Sequence, residues 1–232
     1  MTNPAFSFQN VTKEYGRGVL STRIFDDLSL DIDANDFVAL MGPSGSGKTT
    51  LLNLMGGIDR INAGSLLYQG ARIDGYSEAE LTRWRQAQIG FVFQTYNLIP
   101  VLTAGQNIEL PLLLTGLGRK ERATKVQLAL ELMGLGAYRD QMPRKMSGGQ
   151  QQRISIARAM VSDAPVLLCD EPTGNLDRDT AEEVMGILQL LNREHGKTII
   201  LVTHDAAAAR YARQTICLDK GHLFTQKVSS VA

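Results

Sequence analysis

The chain is poor in cysteine, has a single tryptophan, and carries no surplus of charge of either sign. Its two cysteines, Cys169 and Cys217, are too few for a disulfide framework. Both sit in apolar, strand-like runs (VLLCDE and TICL), where buried thiols are expected and a reducing compartment fits. Twenty-four Lys and Arg balance 24 Asp and Glu, which argues against a nucleic-acid binder, because phosphate contacts usually demand a basic surplus or stripe. No run reaches the about 18 apolar residues of a membrane span. The opening MTNPAFSFQNVTKEYG lacks the charged-then-apolar pattern of a secretion signal. The chain is therefore expected to be soluble and cytoplasmic, with any membrane role reached through a partner. Internal repeats and low-complexity tracts are also missing.

What is present is core. Of 232 residues 44% are hydrophobic, enough for one sizeable interior with a small lobe attached. FSFQNV, IFDDLSLDID and DFVAL alternate like strands, with polar breaks such as Asp33-Ala34-Asn35-Asp36 read as hairpin turns. After Gly42 the pattern changes. IGFVF, VLLCD and TIILVT are continuous apolar runs, as expected of parallel strands buried on both faces. Val184, Ile187, Leu188 and Leu191 place a helix between the last two, ending near His195-Gly196. Strands alternating with helices make an α/β core. From about Thr95 to Lys145 the chain is mostly helical, with Val126, Ala129, Leu130 and Met133 on one face, and reads as an inserted helical lobe. A hairpin strand and a polar, frayed end are expected after Gly221.

Two segments carry chemistry. Gly42-Pro43-Ser44-Gly45-Ser46-Gly47-Lys48-Thr49 follows the strand FVALM and matches the phosphate-binding pattern G-x-x-x-x-G-K-[ST]. Glycines let successive backbone N–H groups turn toward phosphate oxygens, and the helix beginning near Lys48 adds its positive end. Lys48 can reach the β and γ phosphates of a nucleotide, and the Thr49 hydroxyl can ligate Mg²⁺. The pattern alone leaves a kinase, a GTPase and a transport ATPase open. Val166–Glu171 is an apolar strand ending in two acids, with Asp170 placed to hold Mg²⁺ through water and Glu171 to act as general base on the attacking water.

Met146-Ser147-Gly148-Gly149-Gln150 then opens a second helix with an anion-binding N-terminus. One domain has no obvious need for two phosphate cradles. A dimer in which each chain's second cradle closes on its partner's ATP is the economical solution. With this element the sequence resembles the ABC ATPase family over nearly its whole length. The resemblance implies a P-loop NTPase core with an N-terminal antiparallel β subdomain (residues 1–94 and 146–232) and an inserted α-helical subdomain (residues 95–145). It implies that Tyr15 stacks on adenine and that Thr50 belongs to the ATP site. Gln94 is then the loop glutamine sensing Mg²⁺, Asn175-Leu176-Asp177 the loop crossing the dimer interface, and His204 the switch histidine at the γ phosphate. Met146 stands where the family usually has leucine, an apolar exchange of similar volume. His195 and His222 receive no catalytic role.

Glu171-Pro172-Thr173-Gly174-Asn175-Leu176-Asp177, Gly56-Gly57-Ile58-Asp59 and Asn97-Leu98-Ile99-Pro100 are similar to the lipoprotein-release, macrolide-export and cell-division branch. That branch implies a homodimer on ATP binding and a separate permease with a large extracytoplasmic domain. The ATPase would then lie on the inner face of the membrane. A cell-division-type role with little net transport uses the same residues. A soluble ABC ATPase acting on nucleic acid or ribosomes would usually have tandem ATPase domains or a long coiled-coil insertion. Leu98, Ile99, Val101, Leu102, Ile108, Leu110, Leu112, Leu113 and Leu114 are more apolar than a small lobe's exterior requires. Most are expected in its core, and a minority lining a groove for the permease.

Overall fold

The continuous apolar runs form a parallel sheet buried on both faces. In the computed structural model, which describes residues 4–16 and 21–227, the strands are β1 (Phe6–Tyr15), β2 (Thr22–Ile32), β3 (Phe37–Met41), β4 (Ala63–Tyr68), β5 (Ala71–Arg72), β6 (Ile89–Phe93), β7 (Val166–Asp170), β8 (Thr198–Val202), β9 (Gln214–Asp219) and β10 (His222–Lys227). One sheet runs β10-β9-β3-β8-β7-β6, parallel except for the edge strand β10. Alternate residues of its strands feed two cores. Ala39, Leu167, Cys169, Ile199 and Leu201 enter one, and Val38, Leu40, Leu168, Ile200 and Val202 enter the other. Because both faces are covered, the inner strands β3, β7 and β8 are apolar almost throughout and the usual in–out alternation disappears.

The second sheet, β2-β1-β4-β5, is antiparallel. Here the expectation for Asp33–Asp36 fails. The turn closes, with the Asp36 N–H donating to the Asp33 carbonyl at 3.4 Å. It joins no hairpin, for β2 pairs with β1 whereas β3 pairs with β8 and β9. A polar turn marks where a strand ends but not which sheet receives the next one. β3 needs two covered faces, and the parallel sheet supplies them.

The helices are α1 (Lys48–Met55), α2 (Glu78–Gln88), α3 (Ala104–Glu109), α4 (Arg119–Leu132), α5 (Gly148–Met160), α6 (Arg178–His195) and α7 (Ala206–Ala209). α6 ends where its stripe predicts, on Gly196 at φ 60°. α3, a 3₁₀ turn at Leu110–Leu114 and α4 form the helical segment between β6 and β7, around Ile108, Leu112, Val126, Leu130 and Met133. Its surface departs from expectation. Of the nine apolar residues named above from Leu98 to Leu114, only Ile108 and Leu112 are fully buried. Leu98, Leu102 and Leu110 are half-buried, and Ile99, Val101, Leu113 and Leu114 are exposed, Val101 at 75% and Leu114 at 72%. Consecutive residues of a tight 3₁₀ turn point around the whole helix, so only one side can face inward.

Cys169 is buried as expected, but Cys217 is only half so. It pairs across the ladder with Phe224 of the edge strand, itself 60% exposed, so that face of the sheet is open there. The frayed end expected for the last residues lies outside the described residues.

Candidate functional site

The phosphate-handling candidates gather at the carboxyl ends of the parallel strands, the edge where open α/β sheets bind ligands. Gly42 follows β3, Gln94 follows β6, Glu171 follows β7, and His204 lies two residues beyond β8. A cleft of about 670 Å³ opens there, lined by Gly42–Gly45, Gly47–Thr50, Glu171 and His204.

Backbone crowding shapes the cradle. Gly42 has φ 148°, and a Cβ on it would sit 2.0 Å from the Leu218 carbonyl oxygen. The loop tightens as the Ser46 N–H donates to the Pro43 carbonyl at 3.3 Å. Lys48 Nζ donates to the carbonyls of Gly42 (2.9 Å) and Pro43 (2.8 Å), which holds the ammonium against the loop. α1 has no acidic residue in its first turn to offset its positive end. Ser46 Oγ is buried without a hydrogen-bond partner among the described residues. A phosphate chain fits this set of donors.

The acidic pair is divided by backbone conformation. Asp170 ends β7, and its Oδ2 accepts from the Thr49 hydroxyl at 3.5 Å. Burial, then the neighbouring Glu171 charge, hold its carboxyl above the usual range, partly offset by Thr49 and Lys48. Glu171 takes φ 47°, its N–H donates to the Val202 carbonyl at 2.9 Å, and its Oε1 lies 3.0 Å from His204 Nδ1. Among the described residues no cluster of three His, Cys, Asp or Glu could hold a metal alone. One hydroxyl and one carboxylate suit Mg²⁺, which favours oxygen donors and keeps waters and phosphate oxygens in its shell.

Other candidates stand outside the cleft. The Gln94 carbonyl accepts from Asn175 Nδ2 at 3.0 Å, and Gly174 leaves it room, since a Cβ there would be 2.7 Å from Gln94 Nε2. Tyr15 ends β1, is 42% exposed, and donates its hydroxyl to Asp59. Ser147 and Gln150 form a reciprocal cap at the start of α5, with bonds of 3.2 and 2.9 Å. The two glycines between them sit in close quarters, Gly149 more so than Gly148. A Cβ on Gly148 would meet Tyr96 Oη at 2.8 Å, and one on Gly149 would meet Thr180 Cγ2 at 2.2 Å. Asp177 caps α6, accepting from the Thr180 N–H at 3.0 Å and its hydroxyl at 2.8 Å, bonds that hold its carboxyl below the usual range. Met146 packs into the core in place of leucine.

Gln152 escaped the sequence reading. It is fully buried, and its Nε2 donates to the carbonyls of Pro172 (2.5 Å) and Phe93 (3.3 Å), tying the segment after Glu171 to the end of β6. A glutamine on the stripe that buries Ser155, Ile156 and Ala159 was the available signal.

Fold and site define a nucleotide-binding cassette that hydrolyses ATP. Residues 25–174 match the family model described as ABC transporter, and the chain belongs to that family. It is 41% identical over 220 residues to the macrolide export ATP-binding/permease protein MacB of Marinobacter nauticus, a match covering 95% of this chain and 34% of that protein. The chain thus spans about a third of the length of such relatives. It is also 41% identical over 219 residues to the ABC transporter ATP-binding protein MJ0796 of Methanocaldococcus jannaschii, covering 93% of each. The bacitracin export ATP-binding protein BceA of Halalkalibacterium halodurans is 39% identical over 217 residues, covering 94% of this chain and 86% of that one. A dimeric structure of MJ0796 in a post-hydrolysis state, bound to ADP and Pi, matches with a TM-score of 0.88 and 39% identity, over 97% of this chain and 99% of that one. The resemblance to the macrolide-export branch holds.

Proposed function

We propose that this cassette closes as an ATP-bound homodimer, reopens on hydrolysis, and so drives a separate membrane permease in export or transmembrane force transmission. The observation that carries this is one of division. A single chain assembles the cradle, Asp170 and the Glu171–His204 pair in one cleft, while the Ser147–Gln150 cap lies outside it. A cap offered by a second copy resolves that separation, and in a two-fold arrangement it does so twice.

Within the cleft Lys48, now held by the Gly42 and Pro43 carbonyls, would bind phosphate oxygens, and Thr49 and Asp170 would hold Mg²⁺. Bound Mg²⁺–ATP supplies the phosphoanhydride bond to be cleaved and the metal that neutralises its charge. Glu171 accepts the proton of the attacking water, and His204 holds the Glu171 carboxylate in place. Gln94, tied to Asn175, couples the cleft to the helical lobe.

A groove of about 420 Å³ beside Gln94 suits the permease, lined by Phe91, Phe93, Leu114, Arg85 and Arg158. No helix among the described residues is long and apolar enough to cross a membrane, so the permease is where we locate the attachment to the membrane's inner face. The names of MacB and BceA favour an export system, and we propose that its permease carries a large extracytoplasmic domain. Copurification from membranes with an untagged permease tests the assignment. Leu114→Glu should lose the permease, and equal recovery with that variant would count against the groove.

A further inference from the structure

We infer that Asp59 is a positioning residue for the Tyr15 ring, fixing it as the adenine platform with Lys13 on the face the base leaves free. This rests on Tyr15 being that platform, and it adds the device that orients it.

A tyrosine at the open end of a strand turns about two side-chain bonds, and a stacking surface that turns loses much of its worth. Two contacts restrain this one, its bond to Asp59 and the Lys13 ammonium over its ring. Asp59 Oδ2 accepts the Tyr15 hydroxyl, and Oδ1 accepts from Lys13 Nζ at 2.6 Å and from the Arg60 N–H at 2.7 Å. Lys13 Nζ stands 4.4 Å from the Tyr15 ring centroid, and its side chain is only 7% exposed. The ammonium therefore closes one face of the ring and leaves the other for a base. Its remaining direction is used too, donating to the Arg60 carbonyl at 2.8 Å.

Asp59 is itself tied to the phosphate end of the site. Its N–H, with that of Ile58, donates back to the Asn53 carbonyl in the last turns of α1, the helix that begins at Lys48. The same loop fastens the strand that carries Tyr15. Asn62 Oδ1 accepts from the Glu14 N–H, and the Asn62 N–H donates to the Thr12 carbonyl, both at 2.9 Å. α1 is thus a strut between cradle and ring. Opposed charges keep Asp59 ionised. Burial pushes its carboxyl up, but the bonds from Lys13 and Tyr15 outweigh that and hold it below the usual range.

The test compares binding of ATP with binding of inorganic tripolyphosphate, which has the phosphates and no base. It uses calorimetry on the full chain, with steady-state hydrolysis alongside. Asp59→Ala should raise the Kd and KM for ATP about tenfold, the effect of losing one charge-assisted bond. It should leave tripolyphosphate affinity and kcat within about twofold. Tyr15→Ala should show the same split, and the double variant should be no worse than Tyr15→Ala alone. Asp59→Asn keeps an acceptor but loses the charge that seats Lys13, and should lose about threefold in ATP affinity. It decides the matter if the alanine variant, with a buried ammonium left unpaired, fails to fold. Equal losses for ATP and tripolyphosphate would make Asp59 structural and overturn the proposal. So would parent-like ATP affinity in folded Asp59→Asn while Tyr15→Ala is weakened. Parent-like ATP binding in Tyr15→Ala would remove the platform itself, and the positioning role of Asp59 with it.

Discussion

Glu171 Oε1 and His204 Nδ1 lie 3.0 Å apart because Glu171 leaves the line of its strand, at φ 47° with its N–H bonded to the Val202 carbonyl of β8. A non-glycine residue held there is strained and survives only where its surroundings over-determine it. Had Glu171 continued β7, its side chain would alternate away from Asp170 as a simple pleat requires. The left-handed turn instead leaves Asp170 with Thr49 and brings Glu171 to His204, so adjacent acids take different partners.

That division predicts separable losses. Glu171→Gln is nearly isosteric but cannot accept a proton, so hydrolysis should fall by about 10²–10⁴-fold. The contacts of Lys48, Thr49 and Asp170 remain, and the ATP-bound dimer should accumulate. Light scattering after size exclusion with Mg²⁺ and ATP, beside phosphate release, measures both. Hydrolysis near the parent rate would remove Glu171 as the base.

Asp170→Asn should behave in the opposite sense. Because burial and the Glu171 charge raise the Asp170 pKa, the folded state holds this proton more tightly than the unfolded chain. Its contribution to stability is complete below the unfolded value, about 3.9, and is lost as pH rises through the folded value. At pH 7 the ionised carboxylate opposes folding. The variant should therefore melt higher than the parent without nucleotide at pH 7, and the gap should narrow near pH 4. Mg²⁺–ATP should no longer raise its melting temperature. A nucleotide-free variant that melts lower than the parent at pH 7 would contradict this.

The cradle glycines should differ from one another. Gly45→Ala meets nothing within 4 Å and bears only the strain of φ 77°, about 1–2 kcal/mol for a left-handed alanine. Gly42→Ala would drive a Cβ to 2.0 Å from the Leu218 carbonyl and displace backbone. Thermal unfolding should rank Gly42→Ala as far the more damaging, and equal midpoints would show that the loop moves freely against β9.

How much of this was legible depended on how local each signal is. The cradle spans eight consecutive residues and the acids are adjacent, so sequence showed both. Period and apolar continuity likewise revealed the doubly covered strands. Asp33–Asp36 misled because its turn chemistry is the same whether the chain reverses or changes sheet. The Leu98–Leu114 surface misled because apolar content does not say which side of a 3₁₀ turn faces solvent. Gly56–Asp59 was noticed only as a family likeness. Its link to Lys13 and Tyr15 joins residues more than 40 positions apart, and no local pattern records such a contact.

The central claim is that one active site needs two chains, and mixing two dead variants tests it most directly. Lys48→Ala removes the cradle's ammonium, and Ser147→Arg fills the cap that serves the partner's nucleotide. In a two-fold heterodimer both lesions fall on one site and spare the other. Random pairing makes half the dimers mixed, each with one of two sites intact, so ATPase activity should recover to about a quarter of the parent's. Neither variant should be active alone. No recovery, in a mixture where heterodimers are shown to form, would contradict the shared site.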